Sequence, residues 1–304
     1  MGGVRPVNAG WFNAFRPWTL HGAVIPVLLG GAFAYTHGSH EWLLLLLALI
    51  GGVLLQSACN LLNTYGDFET GLDTEENHSR SPELVSGKLK PKHVFYVGMA
   101  CLGITACLGI VMICLTGWGI IFFGLAGLAT AGMYTVGLKY KYFGLGLPSV
   151  FIAMGILMPA GTYYLMTGDL SLDLFLISLP NALMITAVLN GNELRDFISD
   201  KEAGVKTVSV RLGYDRAMLL YRASNTLPFI IVPVLVVAQI LPVHALLVLF
   251  ALYYWNIMFQ NTKTARDDRK SGFMLVPYAF KLNWVFGLLL IVGIILGYQF
   301  PINW

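Results

Sequence analysis

The chain of 304 residues is 57% hydrophobic and only 12% charged, with a mean hydropathy of +0.70 and a formal net charge of +3. Soluble domains carry roughly 25% charged residues, so this composition excludes a water-soluble globule and calls for a membrane. Four cysteines without a CxxC pair and six histidines without HxxxH or HExxH spacing argue against disulfide and zinc frameworks; Cys59, Cys101, Cys107 and Cys114 are read as buried, inert thiols in or beside apolar helices.

Apolar runs near 17–36, 42–63, 94–115, 118–137, 147–167, 172–192, 217–241, 243–261 and 280–300 each approach the length needed to cross the hydrocarbon core as a helix. They predict an all-α polytopic bundle of about nine transmembrane helices, one integral-membrane domain over 1–304. Leu241-Pro242 separates the seventh and eighth spans, whereas Pro26, Pro159, Pro180, Pro228 and Pro233 are expected to kink helices rather than end them. Arg5 and Arg16 lead directly into a full-length span, with no cleavable signal pattern before it.

With nine spans, the N-terminal segment and the connections after the second, fourth, sixth and eighth helices share one side. Together with helix-edge residues such as Arg222 they hold all 19 Lys and Arg. The other side carries only Glu41, Asp169 and Asp173 as charges, leaving 13 of the 16 acids and a balance of +6 on the basic side. The positive-inside rule makes that basic side cytoplasmic.

Two acidic segments end long apolar runs: NLLNTYGDFETGLD from Asn60 to Asp73, and NGNELRDFISD from Asn190 to Asp200. Carboxylates beside hydrocarbon are costly and need a counter-charge. Asn60, Asn63 and Asp67 share a helical face; Gly66 and Gly71 are expected to loosen the helix, and a turn at Gly71 would bring Asp73 to the same point. Asn192, Asp196 and Asp200 form an i, i+4, i+8 stripe. Such oxygen donors suit a hard cation such as Mg2+ rather than zinc, and two facing Asp pairs repel unless divalent metal or a metal–polyanion complex lies between them. Arg80, Lys88, Lys139, Lys141, Arg195, Lys201 and Arg211, on the same face, are candidate anion partners. Metal, carboxylates and cations beside lipid point to a substrate with a diphosphate head and a hydrocarbon tail. Glu75, Glu76, Glu83, Glu202, Asp215 and the run Arg266 to Lys270 are read as solvated faces or helix caps. The repeated Asn-to-Asp pattern, four helices apart, suggests two pseudo-repeated halves, helices 1 to 4 and 5 to 8, that bring the acids together.

These motifs resemble the paired Asp-rich motifs of the UbiA superfamily of intramembrane prenyltransferases. The resemblance extends to Arg16-Pro17, YTVGLKYKYFGLG from Tyr134 to Gly146, and KTVSVRLG from Lys206 to Gly213, nearly the whole chain. Thr64, Gly71 and Asp73 make the first motif most similar to the 1,4-dihydroxy-2-naphthoate polyprenyltransferases of menaquinone synthesis and their animal relatives. The resemblance implies that Asp67 and Asp73 bind one Mg2+ and Asp196 and Asp200 a second. It further implies that Asn63 and Asn192 orient diphosphate or metal water, and that Lys141, Arg195 and, more loosely, Arg80 hold the diphosphate. The implied partners are a polyprenyl diphosphate, an aromatic acceptor and the lipid bilayer, with no nucleic acid. The implied location is a bacterial cytoplasmic membrane, with the active site facing the cytoplasm. In the implied reaction the allylic C–O bond ionises, the ring attacks the carbocation and the naphthoate carboxylate leaves as CO2.

Tyr65, Phe68, Tyr134, Tyr140, Tyr142 and Tyr163 are candidates to line a dry cation-stabilising pocket, with ordinary packing as the alternative for each. Many relatives carry an acid after GLG where this chain has Leu147. Rival readings keep the chemistry but change the acceptor to hydroxybenzoate, homogentisate, a chlorin or haem, or a lipid glycerol. A rival from another class is an ion-coupled transporter, which would place such acids near the bilayer midplane.

Overall fold

The structure is a computed structural model that describes residues 10–71 and 82–302; Asp73, Glu75, Glu76 and Arg80 lie outside the described residues. Among the described residues, every regular element is helical. That is the expected solution in lipid, where a helix satisfies its own backbone hydrogen bonds. Eight helical segments are long and apolar enough to cross a membrane, and a ninth, Trp118–Gly132, is shorter. The chain is an integral membrane protein.

A short helix, Trp11–Phe15, and a 3-10 turn, Pro17–Thr19, lead into α1, His21–Thr36. There follow α2 (Trp42–Glu69), α3 (Pro91–Thr116), α4 (Trp118–Gly132), α5 (Gly146–Thr167), α6 (Leu172–Arg195), α7 (Tyr214–Val237), α8 (Val243–Asn261) and α9 (Arg269–Gln299). The break at Leu241-Pro242 stands between α7 and α8. Pro26 and Pro180 sit inside helices, as expected. Pro159 follows a π-helical stretch, Phe151–Leu157, where the wider turn relieves the missing N–H and the ring's crowding of the preceding turn. α9 begins eleven residues before the predicted span because Asp268 caps it: its Oδ2 accepts the Ser271 N–H at 2.9 Å. Those Ser271 hydrogen bonds pull the Asp268 carboxyl below its ordinary range.

The main core joins α1, α5, α6, α7, α8 and α9, with Ile25, Ile177, Met184, Tyr221, Leu282 and Phe286 at its centre. α3 is mostly lipid-facing and packs on α2 over a smaller cluster of Ala58, Leu61, Leu84, Val94 and Cys101. In lipid, helices associate through close packing rather than through burial from water, so small residues set their separation. Gly155 lies directly against Ala182, seating α5 on α6. Gly66 has the same role rather than the expected one. α2 stays helical through Glu69, and a Cβ on Gly66 would stand 2.8 Å from Thr135 Cβ and its carbonyl oxygen. Gly71, at φ +71°, does turn the chain, in a conformation that side-chain-bearing residues rarely adopt.

Gly66→Ala is expected to destabilise the protein by about 1–3 kcal/mol through overpacking against Thr135. Gly103→Ala, in a helical position with open space around the added methyl, is expected to be neutral or slightly stabilising. Unfolding in mixed detergent with added SDS measures both; equal effects would remove Gly66 as a packing determinant.

Candidate active site

One cavity of about 960 Å³ connects the two acidic segments. Its polar end is lined by Arg16, Asn60, Asn63, Asp67, Lys141, Asn192, Glu193, Arg195, Asp196, Asp200 and Thr207. From there it runs as an apolar channel between α1, α2, α3, α4, α5 and α6 as far as Ala48, Ile120 and Leu165. From Asp67 back to Ala48 along α2 is nineteen residues, about 28 Å of helix. The π-helical stretch contributes Ala153, Met154 and Leu157 to the wall.

Asp67 is 2% exposed and is held from the loop between α4 and α5. Lys141 Nζ donates to both Asp67 oxygens at 2.8 Å and to Asn63 Oδ1 at 2.9 Å, and the Tyr142 hydroxyl donates to Asp67 Oδ1 at 2.9 Å. Asn63 and Asp67, one turn apart on α2, therefore share a cation. The loop is shaped for this: Lys139 takes a left-handed conformation, Gly144 another, and Lys141 N–H returns to Tyr134 O at 3.1 Å.

The second segment differs from the expected continuous stripe. α6 ends at Arg195, Asp196 sits at the break (φ −97°, ψ 9°), and Phe197–Glu202 restarts as a separate turn of helix. Asn192, Asp196 and Asp200 line the same cavity nonetheless, because the chain stays near helical through the break. Arg195 grips Asp196 as a fork, Nε to Oδ1 at 2.9 Å and Nη2 to Oδ2 at 2.7 Å. Asp200 is buried on the cavity wall.

Several expectations are corrected. Lys88, Lys139, Lys201 and Arg211 do not line the cavity. Arg211 instead donates to the carbonyls of Lys206 and Phe143, tying two loops together. Of the aromatic candidates, Tyr134 and Tyr140 line the cavity. Tyr140 donates to Thr130 O at 2.6 Å, and burial pushes its phenol up, keeping it neutral. Tyr65 and Phe68 pack in the α2–α3 cluster, Tyr65 at 5.0 Å from the Phe95 ring, while Tyr163 lies in the core between Phe33 and His37. Glu83, expected to be solvated, is 1% exposed, since its short helix Pro82–Val85 tucks against α2. Asn60 anchors the entry to α1: its Nδ2 donates to Phe15 O and Thr19 Oγ1, both at 2.8 Å.

Two cavity residues were missed by the pattern of acids. Arg16 stands in a left-handed conformation before Pro17 and donates from Nη2 to Thr64 Oγ1 at 3.1 Å, which aims its guanidinium into the polar end. The Arg-Pro dipeptide was its only signal, since proline disfavours the ordinary helical conformation at the preceding residue. The other is Glu193, inside the second motif. Leu147, the position after GLG, is buried, and the carboxylate nearest that turn is Glu193, whose Oε1 would lie 3.6 Å from a Cβ on Gly146.

For a metal, the donors fit a hard cation: Asp67, Asp196 and Asp200 with Asn63 and Asn192 supply only oxygen at the polar end. Among the described residues, no three His, Cys, Asp or Glu side chains form a closed metal cage. The acids stand where helices end, at one end of the bundle, and not at a midplane break as the transporter reading requires.

The profile of the UbiA prenyltransferase family matches residues 23–284. The chain is 32% identical over 301 residues to "UbiA prenyltransferase domain-containing protein 1" of Danio rerio, covering 96% of this chain and 85% of that protein. It is 30% identical over 284 residues to the "1,4-dihydroxy-2-naphthoate octaprenyltransferase" of Bacillus subtilis (strain 168), covering 93% and 91%. In fold it is similar to a UbiA homolog from Archaeoglobus fulgidus bound to GPP and Mg2+, with a TM-score of 0.64 at 15% identity, covering 93% of this chain and 99% of that one. The chain belongs to the UbiA prenyltransferase family and is a membrane-embedded prenyltransferase.

Proposed function

We propose that this prenyltransferase moves a polyprenyl group from a polyprenyl diphosphate to 1,4-dihydroxy-2-naphthoate, with loss of CO2, as a step of menaquinone biosynthesis. The observation that carries the reading is the cavity itself, which joins a charged head site to a channel of hydrocarbon character. An amphiphile with an anionic head and a long apolar tail matches both parts. The naphthoate acceptor is supported by Thr64, Gly71 and Asp73 in the first motif and by the name of the Bacillus subtilis relative.

Among the described residues the polar end holds four carboxylates, Asp67, Glu193, Asp196 and Asp200, against three cations, Arg16, Lys141 and Arg195, a formal balance of −1. A diphosphate adds more negative charge, so its binding here calls for divalent cations. We assign Asp67 and Asp73 to one Mg2+ and Asp196 and Asp200 to another; that a solved homolog was bound to GPP and Mg2+ supports metal dependence. When bound, Mg2+ would neutralise charge developing on the departing diphosphate. Lys141, Arg195, Arg16 and Arg80 would hold the phosphate oxygens, while Asn63 and Asn192 orient them. Lys141 and Arg195 are preorganised for this role because each already donates to a carboxylate at the cavity wall. The apolar channel excludes water, which would otherwise quench the allylic cation. Tyr134 and Tyr140 offer ring faces beside it. We assign the head site to the cytoplasmic face of a bacterial inner membrane, on the placement of the Lys and Arg residues.

In detergent with farnesyl diphosphate, Mg2+ and dihydroxynaphthoate, the protein is expected to form prenylated naphthoquinol. Asp67→Asn or Asp196→Asn should each lower kcat by about 100-fold or more, and EDTA should abolish turnover. Chromatographic product analysis reads all three; turnover insensitive to EDTA refutes the metal assignment. With an acceptor panel, transfer to hydroxybenzoate but not to naphthoate would refute the acceptor while sparing the reaction class. In a background without the native cysteines, Ser39→Cys is expected to label from outside intact cells and Asn77→Cys only after permeabilisation; the reverse pattern inverts the topology.

A further inference from the structure

Among the described residues, Glu193 is the one cavity-lining carboxylate that no part of the proposed diphosphate site uses. It is 7% exposed, and its Oε2 accepts the Ser209 N–H at 2.9 Å and lies 2.8 Å from Ser209 Oγ. Its Oε1 has no hydrogen-bond partner among the described residues, and the side chain lines the cavity. A second polar atom stands beside it in the same condition. The Tyr134 hydroxyl, on a side chain 8% exposed, makes no hydrogen bond among the described residues and lines the same cavity. Both atoms converge next to Gly146: a Cβ there would lie 3.5 Å from the Tyr134 hydroxyl and 3.6 Å from Glu193 Oε1. No hydrogen bond joins the two, so each keeps its capacity for a ligand in the cavity.

A matched donor and acceptor facing one cavity suit a ligand that both donates and accepts. A hydroxyl does both; a carboxylate would be repelled by Glu193, and an ether cannot donate to it. The Tyr134 ring also sits 5.9 Å from Lys141 Nζ, which places this pair beside the diphosphate end of the cavity and away from the apolar channel. We propose that Glu193 Oε1 and the Tyr134 hydroxyl are the acceptor-orienting pair, taking a ring hydroxyl of the aromatic acceptor between them and turning any acceptor carboxylate away from this wall. The assignment rests on the aromatic-acceptor reading above. Glu193 accepts from the substrate hydroxyl and Tyr134 donates to it; no proton need be transferred for the pair to set the ring's orientation.

Glu193→Gln keeps an oxygen to accept the Ser209 N–H, so the link to Ser209 survives; Tyr134→Phe removes only the hydroxyl and keeps the proposal testable if the first variant fails to fold. Each is expected to raise KM for dihydroxynaphthoate about 10-fold or more while KM for farnesyl diphosphate stays within about two-fold. Equal changes in both KM values, or an altered Mg2+ requirement, would assign Glu193 to the metal–diphosphate site and overturn the proposal; unchanged kinetics would leave it a strut to Ser209 and do the same. A binding arm separates this from the transfer reading. Without prenyl diphosphate or metal, 1-naphthol is expected to raise the thermal unfolding midpoint of the unsubstituted protein but not of either variant, and 1-methoxynaphthalene is expected to raise none. That pattern upholds the hydroxyl site even if no aromatic acceptor is prenylated, whereas equal stabilisation by the ether refutes it.

Discussion

The arrangement depends on one buried charge pair, Asp67 with Lys141. A carboxylate taken out of water at the end of a membrane helix costs several kcal/mol unless it is paired and fully hydrogen-bonded. Here three donor contacts from Lys141 and Tyr142 meet that requirement. Because both partners come from the short loop between α4 and α5, satisfying Asp67 dictates the path of that loop. Gly66 allows the loop's Thr135 to approach α2 closely, and Thr135 Oγ1 donates to Leu62 O at 3.0 Å. The loop then carries the constraint onward, since Lys206 N–H donates to Tyr142 O at 3.2 Å and Arg211 to Phe143 O at 2.9 Å. The first acidic segment is thereby joined to the stretch that follows the second.

That joining explains how a protein with so few charges builds a concentrated polar site. Among the described residues, seven charged side chains line the polar end of a cavity whose remaining wall is mostly apolar. Each pairing seen there uses charge-assisted hydrogen bonds, which are stronger and more directional than neutral ones. The low-dielectric surroundings that make an unpaired charge expensive also make these groups effective toward an anionic leaving group. Stabilising the fold and preparing the chemistry are accordingly served by the same residues.

The helical architecture was legible because hydropathy along a membrane chain reports directly on length and depth. Eight of the nine spans stand at or near their expected places, and the α7–α8 break falls at Pro242. The errors cluster where local geometry departs from a straight helix. Asp196 sits at a helix break that i, i+4 spacing cannot reveal, and α9 extends to a capping Asp268 whose polar neighbours masked the helix start. Tyr163 and Tyr65 share the composition of cavity aromatics but point into packed clusters, a matter of helix rotation that a single sequence does not encode locally.

By itself the sequence determined the membrane class, the all-helical architecture and the place of the two acidic segments at helix ends, because each follows from composition and spacing along the chain. Tertiary structure alone decided which cations meet which carboxylates, that Arg16 joins the head site, and that Glu193 and Tyr134 both approach Gly146. Those pairings join residues from Arg16 to Asp196, drawn from the segment before α1, from α2, from the α4–α5 loop and from the end of α6. They depend on packing distances between helices, and such distances are set by small residues such as Gly66 and Gly155 meeting partners far away in sequence.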